Sequence, residues 1–339
     1  MIKALYTVRG QGTNPYENLA LEELLLREVQ PGECMLYLWQ NDNTVVVGRN
    51  QNCRAECRID LLEADGGFLA RRLSGGGTVF HDKGNLNFTF LLPTADYDLA
   101  RQTEVILQAV RLLGQNAERT GRNDIAVDGR KFSGNAFHHS RQASFHHGTI
   151  MISADVSRFG KYLTVAEDKL QSHGVKSVRS RVVNLAELDS SITVERVEQA
   201  MHRAFGQVYG AAVQPLPDSR INADEWNRLT EKFASWQWRI GDEPAASCVM
   251  TRRFPWGGVE LYLTVTAGKV SECALYTDAL EDELPAIVAG ALVGAPYTGE
   301  GLSSALHGAC TAEGDLKNMV GDLQEMLRLY GAPPRRKDS

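Results

Sequence analysis

Two arginines run directly into three glycines in the stretch RRLSGGGTVFHDKGN, Arg71 to Asn85, and these residue types suit the binding of an anion. Glycine loses more conformational entropy on folding than any other residue, so such a run indicates a backbone that something approaches closely. Successive N–H groups in a glycine-rich turn form an anion-binding nest, and arginine adds bidentate contacts to phosphate. The stretch lacks the GK[ST] ending of a P-loop, and Phe80 stands where a dinucleotide fingerprint needs glycine. A tight turn with exposed arginines is the other interpretation that these residues allow.

A lysine lies in a second stretch of small residues, GRNDIAVDGRKFSGNA, Gly121 to Ala136. Asp128-Gly129 is the strongest hairpin signal in the chain, and it places Lys131 on the strand that follows the turn. Small residues let a backbone be approached closely, and a lysine among them can act as a point charge for a phosphate or a developing oxyanion. A solvated lysine on the surface of a strand is the simpler alternative.

A third stretch, KSVRSRVVNL, carries a basic strip in an acidic protein. The strip consists of Lys176, Arg179 and Arg181. Clustered cations of this kind either solvate a surface loop or order it around a bound anion. The residues alone leave both interpretations open.

Two histidine pairs, His138-His139 and His146-His147, raise the question of a metal site. Neighbouring residues on a strand point to opposite faces, so such a pair rarely places both rings on one ion. The six cysteines lack the spacing of a disulfide framework, and the two in CRAEC have no second ligand pair near them. We therefore expect no histidine or cysteine metal centre, and we expect reduced thiols, as in a cytosolic protein.

The length and composition are typical of a globular protein with two domains. The chain has 339 residues, of which 43% are apolar and 23% charged. A formal net charge of -6 argues against a general nucleic-acid binder. No apolar segment approaches the ~18 residues of a membrane span. The N-terminus predicts a strand and a helix and not a signal peptide, so we expect a cytoplasmic protein without a membrane partner.

The hydrophobic pattern predicts helices and strands in mixed order. Helical periodicity covers Asn14–Val29, Leu99–Leu113, Val194–Tyr209 and Leu316–Leu329. Strand-like runs cover Met35–Trp39, Thr44–Val47, Phe68–Arg72, Leu86–Leu92, His147–Ile152, Val259–Val265 and Glu272–Tyr276. Because the two do not alternate strictly, we predict an α+β fold with mixed or mostly antiparallel sheets and flanking helices. The turn-rich GDEPAAS predicts a boundary between a large domain of residues 1–243 and a small α+β domain of residues 244–339.

Five ordered stretches resemble one family, the lipoate–protein ligases, within the wider superfamily of biotin and lipoate ligases. They are WQNDNTVVVGRNQN (Trp39–Asn52), ARRLSGGGTVFHDKGNLNF (Ala70–Phe88), GRNDIAVDGRKFSGNA (Gly121–Ala136), FHHGTIMI (Phe145–Ile152) and KSVRSRVVNL (Lys176–Leu185). The resemblance covers essentially the whole first domain. It continues through SWQWRIG and RRFPWGGVELYLTV into the second, which resembles the accessory domain of the two-domain ligases.

The resemblance implies an enzyme that activates free lipoate with ATP to lipoyl-AMP and then transfers the lipoyl group to a lysine of a lipoyl domain. Magnesium is the implied metal. The implied acceptors are apo lipoyl-domain proteins, namely E2 subunits of 2-oxoacid dehydrogenase complexes and the glycine cleavage H protein. A glycine nest suits the phosphoryl group of the adenylate, and apolar positions around Leu73, Val79 and Phe88 suit a tunnel for its acyl chain. We expect a monomer.

The same resemblance implies roles for particular residues of this sequence. ATP contacts fall to Arg72, Gly77, Thr78, Val79, Phe80 and Lys131, and lipoate contacts to Ser74, Gly75, Gly76, Lys131 and His147. The loop that closes over the adenylate contains Lys176, Arg179 and Arg181. Lys131 is the implied catalytic residue and Asp124 the implied magnesium ligand. Where some members have an arginine after an aromatic residue, this chain has Phe137-His138, so either Arg141 substitutes from a shifted position or that contact is absent.

Three rival interpretations stay open. An octanoyltransferase of the same superfamily works through a cysteine thioester without ATP, yet no cysteine lies in Arg71–Phe90 or Gly121–Ile152. A biotin ligase shares the lysine chemistry, but its arginine-rich glycine loop differs from SGGGTVFHDKGN. A non-catalytic nucleotide- or acyl-binding regulator on this scaffold would not need both the lysine and the glycines.

Overall fold

The structure of the protein, a computed structural model, describes residues 2–121, 123–164, 182–241, 246–309 and 314–330. Contacts divide the chain into two units. The first comprises Met1–Val47, Cys53–Leu73 and Thr78–Ile240, and the second comprises Gly48–Asn52, Ser74–Gly77 and Gly241–Ser339. The second unit thus includes two short segments from the N-terminal part of the sequence. The predicted boundary between residues 243 and 244 lies outside the described residues.

Strands and helices follow one another without strict alternation. The strands are β1 (Ala4–Arg9), β2 (Glu33–Trp39), β3 (Thr44–Val47), β4 (Phe68–Arg71), β5 (Val79–His81), β6 (Asn85–Pro93), β7 (Ala117–Thr120), β8 (Asp124–Val127), β9 (Arg130–His139), β10 (Ala143–Met151), β11 (Val213–Pro215), β12 (Cys248–Phe254), β13 (Gly257–Thr266) and β14 (Lys269–Thr277). The helices are α1 (Pro15–Glu28), α2 (Cys53–Glu56), α3 (Ile59–Ala64), α4 (Leu99–Leu112), α5 (Phe159–Tyr162), α6 (Leu185–Leu188), α7 (Val194–Tyr209), α8 (Ala223–Ala234), α9 (Trp236–Arg239), α10 (Leu284–Leu292), α11 (Gly299–Ala309) and α12 (Asp315–Tyr330).

An eight-stranded sheet forms the centre of the first unit, in the order β11-β1-β2-β6-β10-β9-β8-β7. Strand β1 runs parallel to both of its neighbours, β2 and β11, and the other pairs are antiparallel. Antiparallel neighbours can be joined by short turns, whereas parallel ones need longer crossovers. The mixed, mostly antiparallel sheet predicted from the sequence is therefore confirmed.

Helices cover both faces of this sheet. Apolar side chains of α4 and α7 pack on one face, and those of α1 and α8 pack on the other together with side chains from β3 and β4. Strand β6 is consequently buried along almost its whole length, although alternation is the usual pattern of a strand with one solvated face. Asp124, Lys131 and His147 lie on strands β8, β9 and β10 of this central sheet.

The long helices begin and end where the sequence supplies caps. Asn14 accepts the Tyr16 N–H at 3.0 Å in front of α1, and Pro15 occupies the first helical position. Thr193 caps α7 in the same way, and Gly210 ends that helix with a φ of 67°. These local signals explain why the predicted helices agree with the observed ones within one residue at either end.

The second unit has its own sheet and core. Strands β12, β13 and β14 form an antiparallel meander, and α10, α11 and α12 pack their apolar faces against it. Alternating buried and solvated positions along β13 are typical of a sheet with one covered face. The α+β character predicted for the C-terminal part is confirmed.

Candidate active site

Strands β8 and β9 form the hairpin that the Asp128-Gly129 pair predicts. Both turn residues have positive φ, 51° for Asp128 and 72° for Gly129, as a two-residue hairpin turn requires. The pairing of β8 with β9 shifts by one residue between Ile125 and Ala126, so that Lys131 pairs with Ala126. This extra residue moves Lys131 to the face of the sheet that carries Asp124, because side chains in an unshifted strand alternate strictly.

Lys131 and Asp124 form an ion pair on that face. The Nζ of Lys131 lies 2.7 Å from Oδ1 of Asp124, and the two side chains are 38% and 36% exposed. An exposed pair of this kind contributes little to folding stability, about 0–1 kcal/mol. Both side chains are partly exposed, although Oδ1 of Asp124 itself is buried.

Gly134 lies beneath the lysine side chain. A Cβ atom at this position would lie 3.1 Å from Nζ and 3.2 Å from Cε of Lys131. The backbone of Lys131 is held as well, because its carbonyl accepts the Val183 N–H at 2.9 Å. The basic strip of Lys176, Arg179 and Arg181 lies outside the described residues, which resume at Val182.

His147 points to the face of the sheet covered by α1. It is buried, and its Nδ1 lies 2.8 Å from Oε1 of Glu22, a fully buried carboxylate on α1. The same oxygen accepts the Thr89 hydroxyl at 2.7 Å, and Trp39 donates its indole N–H to that hydroxyl at 3.1 Å. The other oxygen of Glu22 has no hydrogen-bond partner among the described residues.

Arg72 and His81 add charge and an imidazole to this buried group. Burial lowers the pKa of Arg72 to about 10, and the carboxylate of Glu22 opposes that shift. Burial, together with the positive charge of Arg72, lowers the pKa of His81 to about 3, so that its ring stays neutral. Asn41 contacts Nδ1 of His81 at 3.2 Å, while Nε2 has no partner within the described part of the chain. We call Glu22, Arg72, His81, Thr89 and His147 the Glu22 cluster.

The three glycines after Ser74 serve different purposes. A Cβ at Gly75 would lie 2.6 Å from the carbonyl oxygen of Ala279 and 2.7 Å from that of Leu280, all within the second unit. Gly76 has a φ of 88°, and its N–H donates to the Ala279 carbonyl at 2.8 Å. Gly77 is exposed, its φ is ordinary, and a Cβ there would meet nothing within 4 Å. The N–H of Gly76 is therefore taken up by a backbone carbonyl, and the anion-binding role of this turn stays a prediction.

The residues after the glycines enter β5. Val79 packs in the same apolar cluster as Leu73, whereas Phe88 packs on the opposite face of the central sheet. The predicted tunnel through all three positions is wrong, because β6 points Phe88 away from the other two. Phe80 is buried and stacks on Tyr162 with 5.5 Å between ring centroids.

Arg71 forms hydrogen bonds to the backbone of its own unit. Its Nε donates to the backbone carbonyls of Trp238 and Arg239, each at 3.1 Å. Its Nη2 donates to the Arg239 carbonyl as well, at 2.9 Å. It therefore caps the end of α9. Arg141 is exposed in the turn between β9 and β10, and His138 lies against Phe145 with a centroid distance of 5.2 Å.

Sequence reasoning missed Glu22, the partner of His147. The two residues are 125 positions apart, and nothing local links them. A signal did exist in LALEELLL, because Glu22 follows Leu19 by three positions and precedes Leu26 by four. Residues at these spacings share a helix face, so the carboxylate lies on the apolar side of the helix. Sequence reasoning also missed His81, which lies in the middle of the glycine stretch.

The five cysteines in the described ranges are free thiols. Cys34, Cys53 and Cys57 are buried free thiols, and Cys248 and Cys273 are free and partly buried. Burial raises the pKa of Cys34 and of Cys57 to about 12, which keeps these thiols protonated. In the described ranges, no group of three or more His, Cys, Asp or Glu side chains is arranged to hold a metal ion. No helix in the same ranges is long and apolar enough to cross a membrane.

The chain belongs to a family of acyl-transferring ligases, the lipoyl protein ligases A and B. The model of the lipoyl protein ligase A/B catalytic domain matches residues 14–206, and that of the bacterial lipoate protein ligase C-terminus matches residues 243–327. Lipoate-protein ligase A of Psychrobacter cryohalolentis is 39% identical over 331 residues, which cover 95% of this chain and 98% of that protein. The family, the α+β fold and the enzyme class predicted from the sequence are confirmed.

Solved structures share the fold. The crystal structure of P. falciparum LipL1 in complex with lipoate matches with a TM-score of 0.82 and 26% identity, covering 96% of this chain and 99% of that chain. A bi-partite lipoate protein ligase of Thermoplasma acidophilum, described with its E2 lipoyl domain, matches with a TM-score of 0.64 and 25% identity. That match covers 73% of this chain and 100% of the other.

Proposed function

We propose that the protein joins free lipoate to ATP, forming lipoyl-AMP and releasing pyrophosphate, and then transfers the lipoyl group to a lysine amine with release of AMP. The acceptors are apo lipoyl domains of E2 subunits and the glycine cleavage H protein. The observation that carries the proposal is Lys131, a cation held over Gly134 and paired with the carboxylate of Asp124. The relative named lipoate-protein ligase A and the lipoate complex of LipL1 support the same substrate.

Lys131 serves both half-reactions as a fixed positive charge. In the first, it stabilises the attacking lipoate carboxylate and the charge that builds on the phosphorus. In the second, it stabilises the tetrahedral oxyanion that forms when the acceptor amine attacks the lipoyl carbonyl. A preorganised charge is most effective where no further reorganisation is needed, and the contacts of Lys131 to Asp124 and Gly134 limit its freedom.

Asp124 fits the role of a magnesium ligand that acts together with phosphate. Mg²⁺ is a hard cation that is usually bound through one or two carboxylates and the oxygens of substrate phosphates. The partly exposed side chain of Asp124 supplies one carboxylate beside the ammonium group of Lys131. When bound, Mg²⁺ would neutralise charge on the phosphates, and Asp124 would hold its lysine partner at the same place.

The Glu22 cluster is our candidate for the lipoate-binding region. Its polar atoms include an oxygen of Glu22 and Nε2 of His81 that lack partners among the described residues. A buried polar atom without a partner costs about 1–3 kcal/mol, which favours a bound group that interacts with it. Leu73 and Val79 belong to the apolar cluster on the same face of the sheet as His147.

The remaining roles follow the family resemblance. Arg72, Gly77, Thr78, Val79 and Phe80 bind ATP, and the exposed, sterically unconstrained position of Gly77 suits a backbone that a nucleotide approaches. Ser74, Gly75 and Gly76 contribute to lipoate binding, and the basic strip closes over the adenylate. Residues 1–243 form the catalytic domain and residues 244–339 the accessory domain of a cytoplasmic monomer.

The first test is the intact mass of an apo lipoyl domain after incubation with the protein, magnesium and lipoic acid, with and without ATP. A gain of one lipoyl group that requires ATP supports the proposal. The opposite result would be no mass gain from lipoic acid with ATP, together with octanoylation from an acyl carrier protein without ATP. That result would contradict the ligase proposal and indicate an octanoyltransferase. This test does not depend on any assignment of residues.

Lys131→Ala is the residue-level test. We expect about a 100- to 1,000-fold loss in both ATP–pyrophosphate exchange and transfer from synthetic lipoyl-AMP, with an unchanged fold. Lys161→Ala is the matched control, since Lys161 forms a comparably exposed ion pair with Asp65 at 2.6 Å. Near-normal activity of Lys131→Ala would contradict the assignment. Asp124→Asn should lower exchange more than transfer from the preformed adenylate, because only the first step handles the phosphates of ATP.

A further inference from the structure

The neighbouring histidines of β10 face opposite sides of the central sheet. His147 belongs to the Glu22 cluster, whereas His146 is buried on the other face among aromatic rings. The ring of His146 lies edge-on to Phe88 at 5.4 Å between centroids and is 5.1 Å from Phe137. Burial lowers the pKa of His146 to about 3, so the ring stays neutral near pH 7.

A chain of hydrogen bonds leads from His146 toward the candidate active site. Its Nε2 lies 2.8 Å from Oδ1 of Asn135, and Asn135 donates its amide N–H to the Asn123 carbonyl at 3.0 Å. The second bond fixes the orientation of the Asn135 amide, so Oδ1 accepts and Nε2 of His146 must donate. The backbone N–H of Asn135 donates to the same carbonyl at 2.9 Å, and the amide of Asn123 returns a bond to the Asn135 carbonyl at 3.2 Å.

The Asn123 carbonyl is part of the peptide group that leads into Asp124. Fixing this carbonyl therefore fixes the plane from which the Asp124 side chain departs. The backbone N–H of Asn135 supplies one ladder bond to this carbonyl, and the Asn135 amide that His146 orients supplies a second, close to the register shift between Ile125 and Ala126. A small cavity of about 10 Å³ is lined by His146 and Asn135 and also by Asn123 and Asp124, so the histidine and this part of β8 lie close together.

We propose that His146 is a positioning residue for the first half-reaction. Through Asn135 it holds the Asn123 carbonyl, and with it Asp124 and the ion pair to Lys131, from the side of the sheet opposite to the candidate active site. This inference rests on the proposed function, in which Asp124 acts with magnesium and Lys131 on the phosphates of ATP. Groups of this kind, which orient ligands from behind, commonly affect metal affinity or activity by about 10- to 100-fold.

The test compares His146→Leu with His146→Gln in the full-length protein. His146→Leu removes the N–H donor, and we expect ATP–pyrophosphate exchange to fall about 10- to 100-fold with a raised magnesium requirement. Transfer from synthetic lipoyl-AMP should fall by a smaller factor. His146→Gln keeps an N–H donor and should recover most of the exchange rate. Asn135→Ala breaks the chain at its next bond, leaves the histidine in place and should reproduce the effect of His146→Leu.

Phe90→Leu is the matched control for packing. Phe90 contacts the ring of His146 with 5.9 Å between centroids but takes no part in the bonds to Asn135. The thermal midpoint of Phe90→Leu should drop, whereas the magnesium concentration that this variant requires should equal that of the wild type. If the His146 and Asn135 variants lose exchange and transfer equally, with an unchanged magnesium requirement, the histidine only packs the core and the inference fails. A wild-type protein without ATP-dependent exchange would instead overturn the proposed function.

Discussion

Gly134→Ala separates the position of Lys131 from the stability of the fold. Gly134 lies in β9 and its φ is outside the left-handed region, so alanine fits the backbone. A Cβ there would lie 3.1 Å from Nζ and 3.2 Å from Cε of Lys131, and 3.9 Å from the Thr149 hydroxyl oxygen. Only the lysine side chain has to move, because the hydroxyl is already at an ordinary contact distance.

The size of the effect follows from these distances. Carbon atoms in contact prefer separations of about 3.5–4.0 Å, so the end of the lysine must shift by roughly 0.5 Å. A misplacement of about 1 Å in a catalytic group can cost ~100-fold, so we expect roughly a 10-fold loss of adenylation. That loss corresponds to about 1.4 kcal/mol of barrier. Stability should instead be unchanged or rise by about 0.4–1 kcal/mol, because alanine restricts the unfolded chain.

ATP–pyrophosphate exchange and urea unfolding measure the two effects on the same sample. Gly148→Ala is the contrasting variant, since its Cβ would lie 2.6 Å from the Gly134 carbonyl oxygen and 2.7 Å from Cζ of Phe88. Such overpacking should lower stability by about 1–3 kcal/mol. Full exchange activity in Gly134→Ala would refute the reasoning, and so would a joint loss of activity and stability like that of Gly148→Ala.

Two further predictions concern titration and thiol chemistry. Burial lowers the pKa of His81 and His146 to about 3, below the ~6.5 of an unfolded chain. Between these two pH values the unfolded state therefore binds more protons than the folded state. As the pH falls below about 6.5, the free energy of unfolding should decrease by up to ~1.4 kcal/mol per pH unit for each histidine. Urea titrations at pH 7, 6 and 5 check this, and His146→Gln should flatten the slope. Because burial raises the pKa of Cys34 and Cys57 to about 12, N-ethylmaleimide at pH 8 should leave lipoyl transfer intact, whereas inactivation would favour a thioester route.

Local signals predicted a large part of the fold. The Asp128-Gly129 hairpin and the bounds predicted for α1 and α7 depend on a few neighbouring residues, and the structure agrees with them within one residue. Strand β10 was predicted to begin only at His147, but it begins at Ala143. Its polar and aromatic residues hide the strand because both faces of the sheet are covered, so no alternation is visible.

The candidate site was harder to predict because its contacts are not local. The register shift in β9 decides which face Lys131 occupies, and nothing in RKFSGN reveals that shift. The pair of Glu22 with His147 joins α1 to β10 across 125 residues. For Gly75 and Gly76 the sequence indicated a special backbone, but only the structure distinguishes a close approach from a positive φ.

The composition of the second unit from three chain segments limits how the protein can be divided into fragments or combined into chimeras. Gly48–Asn52 and Ser74–Gly77 group with the residues that follow Ile240, although the sequence from Thr78 to Ile240 lies between them. A gene divided after Ile240 would leave both segments on the N-terminal fragment, apart from the residues with which they group. The C-terminal part is therefore not a cassette that homologous recombination could exchange at a single crossover. A chimera with a relative would have to carry two short stretches from inside the N-terminal half as well.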